Sequence, residues 1–452
     1  MNPTQFKIRI LLLLIALALV FVHAAPATLP PGNTVAQWNT IAENTVVGSG
    51  AFQGEGYIYM AYASAAVYDA VVAIEGGFEP YGPPIAVSPG ASVDCAVVEA
   101  AYRTLVNYFP SQAGTLGALY TEALLNFGGC TGDGGAGTAV GLRAANDIIG
   151  LRTGDGRMIP IGTTSSFPTL PPAPGVWRLT PPAPPGPPFA RAQTPWVGNV
   201  RPFIVRSLAQ FLPDPPPSLL SDEWVAAFDQ TKAYGAANGS LRSDEQTFIA
   251  KFWSANVIRQ YNRVGRDIVA ARGLNLLQTA RLAGMINVVA ADAMMSMHHA
   301  KYHYLFWRPV TAINGSLDPS AVTNDGFGPV PGYDDGNPAT VEQAGWRPLL
   351  VTPNHPEFPS AHSTLTSAMA EVFRTFLGTT YINLDIHGFD PAGPPGNMNA
   401  VRHFNMPNDL RHEVINARIW AGLHYHFSCV AGMVLGRNVA SFDLKHAFQP
   451  VE

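Results

Sequence analysis

Cysteine and charge are both scarce in this chain. Three Cys in 452 residues cannot staple a disulfide-dense module or build a Cys-based zinc site. Charged residues make up 13% against 47% hydrophobic, which excludes a disordered chain and leaves ample apolar surface for a core. Positive charge has no excess either: 27 Lys and Arg stand against 32 Asp and Glu, for a net charge of -5. Wholesale binding of a phosphate backbone therefore has no electrostatic basis, and nucleic acid is not an expected partner. Internal repeats and convincing alternating strands are missing. Glycine (43) and proline (40) are plentiful but not periodic, which excludes collagen and leaves long structured loops.

The first segment reads as an address. Lys7 and Arg9 precede an unbroken apolar run from Ile10 to Val22, and small residues follow at Ala24, Ala25 and Ala27. A short basic end, an apolar run and a small-residue exit form the signal-peptide pattern. The run is short for a bilayer span, which needs about 20 apolar residues. Cleavage before Ala25 is expected, with no second apolar run of spanning length after it. The mature protein is then expected to be soluble and exported, whether extracellular, periplasmic or in a cell wall. In such a compartment Cys95 and Cys130 can pair, leaving Cys429 free.

The apolar spacing from about residue 33 to 159 is mostly helical, as in Tyr57 to Ile74. Prolines then cluster up to Pro217, and no helix runs through them. Trp177, Phe189, Trp196 and Phe203 mark this connector as packed on the protein, since a free linker would lack them. Helical spacing returns from Ser221. The spacing predicts helices from Ser243 to about Gly265, Leu276 to Trp307, Ser363 to Leu377 and Leu410 to Phe442. The reading is all-α: two packed helical bundles joined by a long proline-rich connector, with the active site in the C-terminal bundle. The expected divisions are a signal peptide (1–24), an N-terminal helical region (25–160), the connector (161–220) and a C-terminal helical domain (221–452).

Three clusters carry chemistry. The first is Lys301-Tyr-His-Tyr-Leu-Phe-Trp-Arg308-Pro309. On a helix, i and i+7 share a face, so Lys301 and Arg308 can converge, and Pro309 is expected to end or kink the helix. The second is His355-Pro-Glu-Phe-Pro-Ser360-Ala361-His362. Here a proline-rich turn delivers Ser360, Ala361 and His362 to a helix start, where free amides favour an anion. The third holds Arg418 and His424, with Gly422 between them to permit a break. Three cations, neutral donors and imidazoles suit a tetrahedral oxyanion, with one imidazole free to attack or ligate and another to move protons. Phosphate, or a metal oxyanion shaped like it, fits that set.

The order Lys-x6-Arg-Pro, then Pro-Ser-Ala-His, then Arg-x5-His resembles the signature shared by vanadium-dependent haloperoxidases and the PAP2 phosphatases. The stretch from Arg418 to Phe427, the connector from Gly175 to Phe203 and the helix from Ala61 to Ala70 are similar to the haloperoxidase branch. The resemblance implies vanadate as cofactor, one per chain, with no haem and no flavin. It implies His424 as the vanadium ligand, and Lys301, Arg308, Ser360, Ala361 and Arg418 as the oxyanion holders. It assigns catalysis to His362 as acid-base group and to Lys301 as the polarising cation. Hydrogen peroxide and a halide would be the substrates, hypohalous acid the product. His355 occupies a position where, by the resemblance, some bromoperoxidases of the family carry His and chloroperoxidases carry Phe, which favours bromide or iodide over chloride.

Three positions depart from the pattern: Ala361 stands where Gly is usual, Ala417 where Ser is, and Ser428 where an Asp would orient the histidine. The residue that orients the site histidine is thus not identified by motif. A secreted acid phosphatase remains open at this stage, with His424 as nucleophile, His362 as proton donor and a phosphate ester as substrate. So does a non-catalytic anion binder, if the pocket is too narrow for a tetrahedral anion. No membrane partner is expected after signal removal, and homo-oligomerisation stays open.

Overall fold

A computed structural model describes residues 28–158, 170, 173–179, 192–314, 334–343, 345–394 and 396–451. The signal-peptide reading and residues 161–169, 171–172 and 180–191 of the proline-rich connector, Phe189 included, lie outside these residues. The described chain is all-α apart from one hairpin.

The N-terminal half contributes α1 (Thr34–Gly48), α2 (Gln53–Glu75), α3 (Val93–Tyr108), α4 (Ala113–Asn126) and α5 (Ala136–Leu151). Side-chain oxygens of Asn33 and Ser92 cap α1 and α3, accepting from Ala36 N and Cys95 N. By length and composition α2 could cross a membrane, which corrects the expectation that no second such run exists; it is instead 83% buried within the protein. Its residues Gly54 and Gly56 to Val72 are buried almost without interruption, because helices surround it on every side. Cys95 and Cys130 form a disulfide, and Cys429 is free and buried.

The C-terminal half contributes α6 (Asp222–Gly235), α7 (Asp244–Phe252), α8 (Val257–Arg272), α9 (Leu276–Tyr304), α10 (Pro309–Asn314), α11 (Ala361–Leu377), α12 (Pro407–Trp420) and α13 (His426–His446). The strands β1 (Leu384–Gly388) and β2 (Ala400–Phe404) pair antiparallel between α11 and α12, with Leu384 opposite Phe404. Two expected single helices are each two. Asn256 caps α8 through its side chain, so the stretch from Ser243 breaks after Phe252. The stretch from Leu410 breaks between Trp420 and His426, where Gly422 has φ +74°.

The two halves share one core. Tyr57 to Val72 of α2 belong to the same buried cluster as Met285 to Met297 of α9 and Leu365 to Phe373 of α11. The long helix α9 lies at the centre and hands its C-terminus to the site. Connector residues described here pack as expected: Trp177 is fully buried, and Trp196 and Phe203 lie against the main core.

Candidate active site

The helix α9 stops at Tyr304 because Leu305 adopts a left-handed conformation, φ +48°. Arg308 is therefore not on the helix that carries Lys301, and the shared-face argument fails. Pro309 begins α10 rather than ending α9. The two cations still converge, through the turn. Both are fully buried. Lys301 Nζ donates to Pro356 O (2.7 Å) and Glu357 O (2.8 Å). Arg308 Nε donates to His355 O (3.0 Å) and Nη1 to Leu423 O (2.9 Å). Both cations thus clamp the segment 355–357 that leads into α11.

Ser360 occupies the N-cap position of α11, but its hydroxyl makes no cap hydrogen bond. It accepts instead from Ser363 Oγ at 3.2 Å. The amides of the first helical turn remain uncommitted to side chains, an arrangement that favours an anion. The Gly422 break turns the chain so that Arg418, at the end of α12, and His424, just before α13, face one spot.

A cavity of about 80 Å³ is lined by Phe52, His355, Ala361, His362, Arg418 and His424, together with Gln53, Val257, Met294, Pro353 and Leu365. That is room for one tetrahedral oxyanion, or two to three waters at about 30 Å³ each. Five of the sequence-predicted residues line it. Lys301, Arg308 and Ser360 are not among its lining residues, and Arg308 reaches it through contacts to His355 and His424. The roof comes from the other half of the molecule, through Phe52 and Gln53 at the start of α2. A larger groove of about 890 Å³, beside α1 and α8, contains none of the candidate residues. Its buried acid, Glu43, is paired with Arg259 and Arg266.

The electrostatics follow from burial among like charges. Desolvation, then Arg308, pushes the Lys301 ammonium well below its ordinary range. Desolvation holds Arg308 and Arg418 down at about 10. The His362 imidazole is driven well below its usual value by burial and then by Arg418 and Lys301, so it is neutral. One of its nitrogens bonds the Trp253 backbone while Nε2 has no partner. Arg418 Nε is likewise buried without a partner. His355 is kept neutral by burial and the Lys301 charge. Its Nδ1 lies 3.0 Å from Arg308 Nη2, which can only donate.

Sequence reasoning passed over Glu357. Its Oε1 lies 2.7 Å from His424 Nδ1 and accepts from Tyr425 N at 3.1 Å. Burial raises its carboxyl to about 7 against the pull of Lys301 and Arg308. Ser428, where an Asp was expected, has its hydroxyl 3.5 Å from Glu357 O. The available signal was an acid inside the otherwise apolar run His-Pro-Glu-Phe-Pro, where a lone carboxylate needs a buried partner. His298 was also passed over: it is buried beside Phe52 and His355, with ring centroids 5.9 and 6.1 Å away, and burial lowers it to about 4.

Among the described residues no three His, Cys, Asp or Glu side chains converge as a cation site. What converges is a cationic frame with imidazoles, a donor set that suits an oxyanion.

Residues 281–452 match a family model described as the VCPO second helical-bundle domain. Vanadium chloroperoxidase of Curvularia inaequalis is 27% identical over 303 residues, covering 54% of this chain and 47% of that protein. The match thus spans about half the length of that curated relative. Two solved structures share the fold. One, described as the first bacterial vanadium-dependent iodoperoxidase, has a TM-score of 0.73 and 20% identity over 94% of this chain and 99% of its own. The other, a holo-type bacterial vanadium-dependent chloroperoxidase, has a TM-score of 0.64 and 16% identity over 90% and 93%.

Proposed function

We propose, from the similarity of its C-terminal bundle to vanadium haloperoxidases, that this protein holds vanadate and oxidises a halide with hydrogen peroxide. The observation that carries the reading is the buried frame of Lys301, Arg308 and Arg418, closed by His424. Three cations face a single buried carboxylate there, and Arg418 Nε and His362 Nε2 lack partners. A tetrahedral oxyanion of matching size would accept from Arg418 Nε, and a protonated oxygen on it would donate to His362 Nε2, so the residues fit the group.

The cofactor would supply a Lewis-acid centre that activates the peroxide for oxygen transfer to the halide. The chain supplies everything else. His424 offers Nε2, which in this structure accepts from Arg308 Nη1 at 3.2 Å. Arg308 and Arg418 would hold oxygens through planar, multi-donor contacts, and the Ala361 amide would add a neutral donor at the helix start. His362 presents Nε2 without a partner at the cavity wall, where it is placed to take a proton from a peroxide entering the cavity. Phe52, Leu365 and Met294 keep bulk water out and strengthen each charge contact. His355, at the cavity wall where Phe is the chloride-associated residue, favours bromide or iodide. Export is proposed as well; the Cys95–Cys130 disulfide supports it.

The test is bromide and iodide oxidation by the mature protein, before and after orthovanadate. Turnover is expected only with vanadate, falling at least about 100-fold in His424→Ala and competed by phosphate. Halide oxidation that ignores vanadate, or phosphate-ester hydrolysis that vanadate inhibits, would overturn the reading.

A further inference from the structure

We infer that Glu357 is the positioning residue of His424, fixing which imidazole nitrogen carries the proton and which faces the cavity; this rests on the vanadate reading of that cavity. Arg308 Nη1 can only donate, so at 3.2 Å from His424 Nε2 it requires that nitrogen to accept, while Glu357 Oε1 accepts from Tyr425 N at 3.1 Å. The 2.7 Å contact to His424 Nδ1 must then be donated by the ring. Nδ1 holds the hydrogen, and Nε2 keeps its lone pair toward Arg308 and the cavity. A histidine ligates through a bare nitrogen, and a hydrogen bond from the opposite nitrogen both selects that tautomer and stops ring rotation.

The geometry around Glu357 leaves little freedom. Its own N–H donates to Phe306 O at 2.9 Å. Lys301 holds its carbonyl at 2.8 Å and the preceding one at 2.7 Å. The residue is fully buried, and Oε2 has no partner. A carboxylate buried with one oxygen unpaired is unfavourable for folding on its own. Its placement makes sense as the anchor of the imidazole. One further consequence is that Lys301 acts twice, on the oxyanion's surroundings and on the segment that presents Glu357.

The experiment is nitrogen-15 NMR of the histidine rings in protein without vanadate, with the His424 signals assigned by their loss in His424→Gln. The wild type and the isosteric Glu357→Gln are expected to show protonated Nδ1 and bare Nε2, since the amide oxygen still accepts. Glu357→Ala is expected to lose that single-tautomer signature. In parallel, calorimetric titration with orthovanadate should show binding weakened about 10- to 100-fold in Glu357→Ala, with Glu357→Gln between it and the wild type. A His424 that keeps the Nδ1-protonated pattern in Glu357→Ala overturns the assignment. So does a bare Nδ1 in the wild type. The ring readout needs no vanadate, so it decides the role of Glu357 even if the wild type binds none.

Discussion

Asp443 is fully buried on α13, and neither of its carboxyl oxygens has a hydrogen-bond partner. Desolvation, and then the nearby Asp292, raises it well above the ordinary 3.8. Asp292 is itself raised to about 6 by burial, although it accepts from the amides of Phe203, Ile204 and Val205. In the unfolded chain Asp443 ionises near pH 4, while the folded protein keeps the proton. The unfolded state therefore binds fewer protons above that pH, and stability falls as pH rises, by about 1.4 kcal/mol per pH unit for one such group. Asp443→Asn removes the titration. Its melting temperature relative to wild type should climb as pH rises above about 4, and parallel curves would contradict the argument. At this same scale, cations and histidines of the site were legible because spaced motifs name them. Glu357 was not, because what marks it is a contact across 67 residues of sequence, and no local spacing encodes that.

Elements were legible where periodicity is long and failed where a single residue resets the chain. The span Leu276–Tyr304 was read to within three residues at its end, and the left-handed Leu305 explains the difference. The hairpin escaped notice because its strands are five residues each, too short for alternation to stand out from a helical background. The break at Gly422 was foreseen from its lack of a side chain, and the packing shows why it is glycine: a Cβ there would meet Gly235 O at 2.5 Å. A comparable approach holds α11 and α13 together. Gly432 and Gly436 let α13 lie against the backbone of Ser360 and Thr364. Gly436→Ala would press a methyl into the Thr364 carbonyl and should lower stability by about 1–3 kcal/mol. Denaturant melts check this, and an unchanged midpoint would show that the helices can slide apart freely.

As a whole, the molecule is less divisible than its sequence suggests. Apolar spacing and the proline clusters lead to an expectation of two bundles and a join, but nothing local announces that α2 and α9 occupy one core or that Phe52 and Gln53 roof the cavity. The site consequently depends on both halves. Its frame of Lys301, Arg308 and Arg418 around a lone Glu357 also makes the whole fold an ion-responsive object. Charges of one sign confined in a dry interior repel, so a multivalent anion that binds only the native state acts as missing folding energy. By mass action, ligand at about 100 times its Kd adds about 2.7 kcal/mol. Melting temperature should therefore rise with orthovanadate, and with phosphate, but not with chloride at equal ionic strength, and Arg418→Gln should flatten the response. How much heat this protein withstands would then be set by its surroundings: a medium rich in tetrahedral anions hardens it, and a depleted one leaves it soft.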